Sequence, residues 1–122
     1  MLQIKVDATQ DRCWEIFSQP EYWHRWAPWL PVDVQKPRRG SRIQARFVGL
    51  PLPGKITVWQ PCWRWDWRWG LLVWKHQVEA LDDGQSMVSI EITGPGSGLV
   101  DAIYRPVMRI ALQRLKRLAE EG

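Results

Sequence analysis

The sequence predicts an α+β fold, in which a curved antiparallel sheet of about six to seven strands wraps around one long C-terminal helix. Segments of alternating apolar and polar residues, typical of half-buried strands, fill the middle of the chain. A helical apolar period follows from Val100 to Leu118, and two short helical segments come directly after the first strand. The 122 residues suffice for one core, and we expect residues 1–122 to form a single domain.

The chain opens with the first strand and the two short helices. Apolar and polar residues alternate over residues 2–6, which predicts a strand, and helix-start residues follow it. A short helix then ends before Pro20. A second helix begins at Pro20, because proline is tolerated in a first helical turn, and extends to about Trp26. We expect Trp23, Trp26 and Trp29 to be exposed, where they offer an alternative partner-binding patch.

Tryptophans alternate with charged residues along residues 63–69, and this run is the most unusual feature of the chain. Successive side chains of a strand point to opposite faces, so the indoles at 63, 65, 67 and 69 are expected on one dry face. Each indole can bury on the order of 150–250 Å², so this face requires an opposing surface or a ligand. The long helix is the only predicted element large enough to cover it. On the other face we expect Asp66 to form a surface salt bridge with a neighbouring arginine.

The same alternation identifies the remaining strands. It predicts strands over residues 42–47, 55–59, 74–80 and 88–92, with a weaker one over residues 32–34. In the turn that begins at Asp82, Gly84 is expected to supply a positive φ. Residues 49–54 read Gly-Leu-Pro-Leu-Pro-Gly, so we expect a loop there that is neither strand nor helix.

An apolar stripe predicts the C-terminal helix. Its members recur at about 3.6 residues per turn and are Val100, Ile103, Tyr104, Val107, Ala111, Leu115 and Leu118. Because proline lacks a backbone N–H, Pro106 is expected to kink this helix or to mark the end of a preliminary turn. Arg105, Arg109 and Lys116 lie opposite the stripe. Such a basic face is usually just solvated, and peripheral contact with an acidic membrane or protein surface is the alternative.

Charge and composition argue against several classes of protein. The net charge of +4 is too small to indicate a nucleic-acid-binding protein, and the arginines and indoles of residues 63–69 point to opposite faces. No apolar run is long enough to span a bilayer, and the N-terminus has no signal-peptide character. Cys13 and Cys62 are expected to be buried free thiols. We therefore expect a cytoplasmic protein, monomeric or weakly dimeric, that uses no metal and no cofactor.

Several segments, taken in order, carry a resemblance to a known family. They match its opening strand and helix, its central strand, its next hairpin and its last helix, and they are residues 6–14, 20–26, 40, 61–67, 74–80 and 112–120. On these segments the chain resembles the SRPBCC superfamily, also called START-like or polyketide cyclase/dehydrase proteins. The resemblance implies a helix-grip fold with a cavity for an apolar molecule between the sheet and the last helix. Its members include lipid carriers, plant hormone receptors, aromatase/cyclases and ubiquinone-binding proteins, so the fold does not select one function.

The resemblance also implies where a ligand is held. We expect a small hydrophobic molecule, whether aromatic, isoprenoid or lipid-like, on the indole side of the sheet. The expected contacts are Trp65, Trp67, Trp69, Trp74, His76, Phe47, Ile90, Tyr104 and Met108. Family members often carry a glutamate near the position of Ile90, and this chain is short for the family, which argues against a large cavity. The alternative is that the indoles only fill the space under the helix.

Residues 49–54 are similar to the gate loop of the plant abscisic-acid receptors, which closes over the mouth of the cavity. The resemblance implies a gate formed by Gly49, Leu50, Pro51 and Leu52. Exposed leucines on a stiff loop require something to cover them, which favours this interpretation. An ordinary packed turn is the alternative.

Two functions follow from these expectations. The first is a binding or carrier protein for an apolar small molecule. The second is a cyclase/dehydrase-type enzyme, which requires a proton donor or acceptor beside the substrate. His76, which we expect to titrate near neutrality if it faces the cavity, and Tyr104 are the candidates, although each is otherwise an ordinary packed residue. We prefer binding, because the chain has neither paired carboxylates nor a Ser/His/Asp or Cys/His arrangement.

Overall fold

A computed structural model describes residues 1–27, 36–47, 50–81 and 84–121 of the protein. The elements in chain order are β1 (Leu2–Val6), α1 (Gln10–Ser18), α2 (Pro20–Trp26), β2 (Arg42–Phe47), β3 (Leu50–Gln60), β4 (Arg64–Trp69), β5 (Leu72–Ala80), β6 (Ser86–Thr93) and α3 (Ser97–Glu121). Some features predicted from the sequence lie outside the described residues, namely Trp29, the weak strand over residues 32–34, Gly49 and Asp82.

The strands form one six-stranded antiparallel sheet in the order β1-β6-β5-β4-β3-β2. Two short helices follow the first strand and one long helix ends the chain, so the predicted α+β helix-grip architecture is confirmed. Gly84, between β5 and β6, has a φ of 72°, which confirms the positive φ expected in that turn.

The short helix α2 packs against the C-terminal end of α1 through two tryptophans. Thr9 caps α1, and its side-chain oxygen accepts a hydrogen bond from a backbone N–H of the first turn at 3.3 Å. Trp23 and Trp26 of α2 are buried, so the prediction that they are exposed is wrong. Trp23 donates its indole N–H to the carbonyl oxygen of Phe17 at 3.0 Å, and Trp26 donates to that of Ile16 at 2.9 Å. These carbonyls lie in the last turn of α1, where they have no partner within the helix.

Residues 50–54 begin strand β3, so the loop predicted there is wrong for the part that the structure describes. β3 pairs with β2 from Leu50 onward but with β4 only from Lys55 onward. Pro51 and Pro53 therefore lie where β3 has a paired strand on one side alone, and a missing N–H on the open side removes no bond of the ladder. The β2–β3 hairpin consequently extends past the end of β4.

Strand β4 buries two of its indoles rather than presenting four of them to the interior. Trp63 precedes the strand in a turn, after Cys62 with a left-handed φ of 64°, and its side chain is 50% exposed. Trp65 and Trp67 are buried, whereas Trp69 at the strand end is 38% exposed. The predicted dry face is therefore confirmed for the two central indoles and is wrong for the outer two.

The ion pair of Asp66 and the free thiols are confirmed, but the predicted burial is wrong for Asp66 and for one of the two cysteines. Asp66 forms the expected ion pair, with an oxygen 3.1 Å from an Arg64 nitrogen, but its side chain is buried rather than at the surface. Burial raises the pKa of Asp66 more than the charge of Arg64 lowers it. Both cysteines are free thiols; Cys13 is buried, whereas Cys62 is only half-buried.

Helix α3 runs from Ser97 to Glu121 without interruption at Pro106, so no preliminary turn ends there. Its buried residues are Met108, Ala111, Leu112, Leu115 and Ala119. Ile103, which was predicted on the buried stripe, is exposed. None of the helices in the described ranges is long and apolar enough to span a bilayer.

The C-terminal helix packs mainly against β1, β6, α1 and α2. The prediction that α3 covers the indoles of β4 is therefore wrong for Trp65, which packs against Phe17 of α1 and Trp23 of α2. α3 reaches the aromatic side of the sheet through Tyr104, which contacts Trp74 of β5. As a result, the first half of α3 is less deeply packed than the second.

The predicted basic face of α3 is partly neutralised by its own helix. Arg105 pairs with Asp101 at 2.8 Å, and Lys116 pairs with Glu120. Both pairs are four residues apart, a spacing that brings side chains together on a helix surface. Arg109 is exposed.

Candidate functional site

The inner face of the sheet carries two groups of aromatic side chains. The first is centred on Trp65, whose ring stacks on His76 with a centroid distance of 3.8 Å and an interplanar angle of 4°. Trp23 also stacks on Trp65, with ring centroids 5.3 Å apart. Phe17 meets both Trp65 and His76 edge-on. The indole N–H of Trp65 donates to the carbonyl oxygen of Phe17 at 3.1 Å. This group ties the sheet to α1 and α2 and belongs to the packed core.

His76 lies inside this core group and is held in its neutral form. Burial lowers its pKa to about 3, against a weaker opposing effect of hydrogen bonds to the backbone of Trp65 and Trp74. Nδ1 lies 3.2 Å from the carbonyl oxygen of Trp65, and because a carbonyl can only accept, Nδ1 carries the proton. Titration near neutrality was expected of His76 only in a position facing the cavity, and the structure agrees with the alternative of an ordinary packed residue. With a pKa of about 3, His76 does not exchange a proton with a substrate near neutral pH.

The second group consists of Trp67, Trp74 and Tyr104, and we call it the aromatic cluster. Trp67 and Trp74 are cross-strand partners on β4 and β5, with ring centroids 5.1 Å apart at 62°. Tyr104 of α3 meets Trp74 edge-on at 6.2 Å. Met108 follows Tyr104 by one helical turn and is buried, and Ile92 pairs with Trp74 across β5 and β6. The cluster thus lies where the sheet faces the first half of α3.

Trp67 is positioned by two features of the neighbouring strands. Its indole N–H donates to the carbonyl oxygen of Ile43 on β2 at 3.0 Å. Its ring lies directly over Gly54 of β3, where an added Cβ would come within 2.3 Å of the ring. The strand can accept the indole only because Gly54 has no side chain. Sequence analysis missed Gly54 as a site residue, and its signal was a glycine within a strand next to a row of tryptophans.

Apolar side chains surround one end of the aromatic cluster and are exposed. Trp69 pairs with Leu72 at the turn between β4 and β5, and Leu71 in that turn is 67% exposed. This turn lies against Gly94, which follows β6 and precedes α3, because a Cβ added to Gly94 would meet the carbonyl oxygen of Leu71 at 2.2 Å. The first turns of α3 carry exposed leucine and isoleucine side chains at 99 and 103, and Ile103 precedes Tyr104 in the chain. We call Trp69, Leu71, Leu99 and Ile103 the apolar rim.

Tyr104 supplies a polar group to these apolar surroundings. Burial raises the pKa of its phenol to about 12, so the hydroxyl stays protonated at physiological pH and can donate a hydrogen bond. Among the described residues, no three His, Cys, Asp or Glu side chains are grouped so that they could hold a metal ion.

The structure divides the predicted ligand contacts between the two aromatic groups. It brings together Trp67, Trp74 and Tyr104, it buries Met108 one helical turn after Tyr104, and it places Trp69 at the rim. Trp65, His76 and Ile90 lie elsewhere, since Trp65 and His76 belong to the core group and Ile90 pairs with His76. Phe47 ends β2, and its side chain lies outside the described part of the structure.

Three of the predicted gate residues, Leu50, Pro51 and Leu52, are part of strand β3, and Gly49 lies outside the described residues. Leu50 is exposed and Leu52 is half-buried, on the part of β3 that extends past β4. Pro51 alternates with them along the same strand. That these residues act as a gate stays a prediction. The segment concerned is the end of the β2–β3 pair of strands rather than a loop.

Comparison with known proteins agrees with this architecture. Residues 2–120 match the family described as polyketide cyclase / dehydrase and lipid transport, and the chain belongs to that family. No curated protein sequence matches the chain. A solved structure that it resembles is protein MLL2253 from Mesorhizobium loti, with a TM-score of 0.77 and 13% identity over 99% of this chain and 97% of that one.

Two other solved structures illustrate the range of this fold. Protein BH1534 from Bacillus halodurans has a TM-score of 0.76 and 14% identity, over 98% of this chain and 94% of that chain. The di-domain ARO/CYC protein BexL from the BE-7585A biosynthetic pathway has a TM-score of 0.67 and 19% identity, over 98% of this chain and 45% of that chain. At these identities the likeness shows the fold alone.

Proposed function

We propose that the protein binds a small hydrophobic molecule against the aromatic cluster, between the sheet and the first half of α3. The ligand enters past the apolar rim. The observation that carries this proposal is the run of ring contacts from Trp67 through Trp74 to Tyr104, with the exposed Trp69 on the same strand face as Trp67 and the exposed Ile103 next to Tyr104 in the chain. Continuous exposed apolar surface next to an aromatic interior is typical of ligand sites.

The chemistry of the site favours a flat molecule of modest size. Indole faces and edges offer broad apolar contact, and Trp67 and Trp74 already fill much of the space between β4, β5 and α3. The phenol of Tyr104 adds one polar group that stays protonated, because burial raises its pKa to about 12. An aromatic or isoprenoid molecule with a single carbonyl or hydroxyl group fits this arrangement better than a two-chain lipid.

A polyketide cyclase/dehydrase-type reaction is the second candidate, and Tyr104 is the observation that favours it. A phenol with a pKa of about 12 in apolar surroundings can hydrogen-bond to a substrate carbonyl and stabilise negative charge that develops on its oxygen. The family to which the chain belongs includes such enzymes by its description. His76 is excluded as the proton acceptor near neutral pH, because it is buried in the core group with a pKa of about 3. A catalytic role would therefore rest on Tyr104.

Two measurements test the binding proposal. Native mass spectrometry of protein purified from its host should detect a co-purified apolar molecule. The uncharged probe N-phenyl-1-naphthylamine should bind to the purified protein with an increase in its fluorescence. Ile103→Glu places a charge on the apolar rim without disturbing buried residues, and we expect it to weaken probe binding roughly tenfold.

The matched control is Ile110→Glu, which introduces the same charge at an equally exposed isoleucine about two helical turns further along α3. Probe binding to this variant should equal that of the wild type. Equal binding to wild type and Ile103→Glu, or no binding to any of the three proteins, would contradict the proposal.

A further inference from the structure

The outer face of the sheet, opposite the aromatic cluster, carries three cations in one row. Arg42 of β2 pairs with Lys55 of β3, and Lys55 pairs in turn with Arg68 of β4. Directly opposite residues on antiparallel strands have Cβ atoms about 4.5–5.5 Å apart, and like charges in such positions destabilise the sheet. We call these three residues the cation row. The repulsion within the cation row lowers the stability of the sheet, so the row requires an explanation other than stability.

The acidic residues of this face do not neutralise the cation row. Asp66 pairs with Arg64 rather than with Arg68, and Glu91 on β6 lies opposite Lys75, two strands away from Arg68. Within residues 1–27, 36–47, 50–81 and 84–121, no member of the cation row takes part in an ion pair. Arg68 donates its Nε–H to the carbonyl oxygen of Gly70 at 2.7 Å, which holds its guanidinium in place.

A groove of about 700 Å³ lies over the cation row. Besides the three cations, its lining includes the amide of Gln44, the hydroxyl of Thr57 and the ring of Pro53. The lining therefore offers hydrogen-bond donors from three strands and, among the described residues, no carboxylate. Thr57 stands at a register shift between β3 and β4, an irregularity of the kind that re-aims a side chain.

We propose that this groove is a second binding site, for a phosphate-bearing small molecule. Guanidinium groups donate in a fork that matches phosphate oxygens, and a lysine adds a compact charge. A bound phosphate group would replace the repulsion between Arg42, Lys55 and Arg68 with attraction. A small molecule is favoured over an anionic membrane because the three cations share one groove with Gln44 and Thr57, whose side chains can donate hydrogen bonds to a single bound group. The site does not depend on the proposed function, since it lies on the other face of the sheet.

Calorimetric titration with sodium pyrophosphate at low ionic strength tests this assignment. The wild type should bind, and its melting temperature should rise with pyrophosphate concentration. Lys55→Gln removes the central charge, and we expect its affinity to be roughly tenfold lower. Lys55 is exposed and in contact with like charges, so this variant should fold at least as stably as the wild type. Arg42→Gln provides a second variant with the same expected loss.

Arg109→Gln is the matched control, because it removes the same charge from an exposed position on α3 that is outside the groove. It should bind pyrophosphate as the wild type does. Equal affinity for Lys55→Gln and Arg109→Gln would overturn the site, because binding would then follow net charge alone. Absence of pyrophosphate binding to the wild type would overturn it as well, including the case in which the protein binds phosphatidylglycerol vesicles but not pyrophosphate.

Discussion

Trp65 and His76 stack face to face across β4 and β5, with ring centroids 3.8 Å apart and planes within 4° of parallel. The contact has a consequence for both partners. His76 is enclosed by aromatic rings and keeps a neutral imidazole, and its proton on Nδ1 satisfies the backbone carbonyl of Trp65. The residue that the sequence offers as a catalytic base is therefore part of the structure that holds α1 and α2 to the sheet.

The buried imidazole makes stability depend on pH in a defined window. The pKa of His76 is about 3 in the folded protein and about 6.5 in the unfolded chain. Between these values the unfolded chain binds a proton that the folded protein does not, so the free energy of unfolding falls as the pH decreases. The expected contribution is about 1.4 kcal/mol per pH unit, and it vanishes above the unfolded value. Urea denaturation at several pH values between about 4 and 7 measures it.

Replacing His76 isolates this contribution. His76→Phe keeps a ring on Trp65 but cannot bind a proton. The slope of the free energy of unfolding against pH should therefore fall by the amount that corresponds to about one proton in this window. His24→Gln is the control, because His24 is exposed on α2 and its replacement should leave the slope unchanged. An unaltered slope in His76→Phe would show that the imidazole is not held neutral.

The close approach of Trp67 to Gly54 predicts a sharp response to one added methyl group. A Cβ at position 54 would lie 2.3–2.5 Å from three atoms of the indole, so Gly54→Ala must displace the ring or the strand. We expect a loss of about 1–3 kcal/mol in the free energy of unfolding, as for other overpacked sites. A weaker quenching response of tryptophan fluorescence to apolar ligands should accompany the loss.

Gly98→Ala is the control for this prediction. Gly98 lies in α3 with no atom within 4 Å of an added Cβ, so alanine there should be neutral or stabilise the helix by up to about 1 kcal/mol. Similar effects of the two substitutions would mean that the contact between Gly54 and Trp67 is not tight.

Two tryptophans in different surroundings should respond differently to truncation. Trp23 is fully buried, stacks on Trp65 and satisfies a carbonyl of α1, so Trp23→Ala should cost about 3–5 kcal/mol. Trp63 is half exposed in a turn, and Trp63→Ala should cost about 1 kcal/mol or less. Chemical denaturation of both variants checks the difference. Comparable costs would indicate that Trp23 is not a core residue.

The phenol of Tyr104 predicts selectivity among apolar ligands. Tyr104→Phe removes one hydrogen-bond donor and leaves the ring in place, so affinity for 2-acetylnaphthalene should fall roughly fivefold while affinity for naphthalene is unchanged. Because the pKa of Tyr104 is about 12, this difference should be constant from about pH 6 to pH 9. Equal losses for the two ligands would mean that the hydroxyl does not face the ligand.

Period-two alternation predicted the strands well, and it did so for β1 and β2 at the ends of the sheet as well as for the inner strands. Trp65 and Trp67 in β4, and Val88 and Ile90 in β6, are buried as expected, and each strand is paired on both sides over these positions. Pro51 and Pro53 misled the prediction, since proline is excluded from a strand only where both edges are paired. Whether an edge is paired is a property of the whole sheet and cannot be known from the local sequence.

The sequence predicted several residues of the candidate site correctly but not which helices pack against each of them. Trp67, Trp74 and Tyr104 were expected to lie together, and Trp74 contacts both of the other rings. Trp23 and Trp26 were assigned to the surface because a seven-residue helix shows too little periodicity to identify its buried face. Their burial depends on the return of α2 onto the end of α1, which involves contacts between different elements. The same contacts place Trp65 under α1 and α2 rather than under α3.

Among the described strands, β1 pairs with β6 alone, with Leu2 opposite Ile90 and Val6 opposite Ser86. During translation, residues 2–6 would leave the ribosome about 80 residues before any strand that they can pair with. The hairpins from β2 to β6 can form in order as they emerge, whereas β1 closes the longest loop between paired strands of the sheet when it pairs with β6. Until β1 pairs with β6, the apolar side chains of β1 and one edge of β6 stay unpaired in the nascent chain, which makes this the step at which a chaperone can bind.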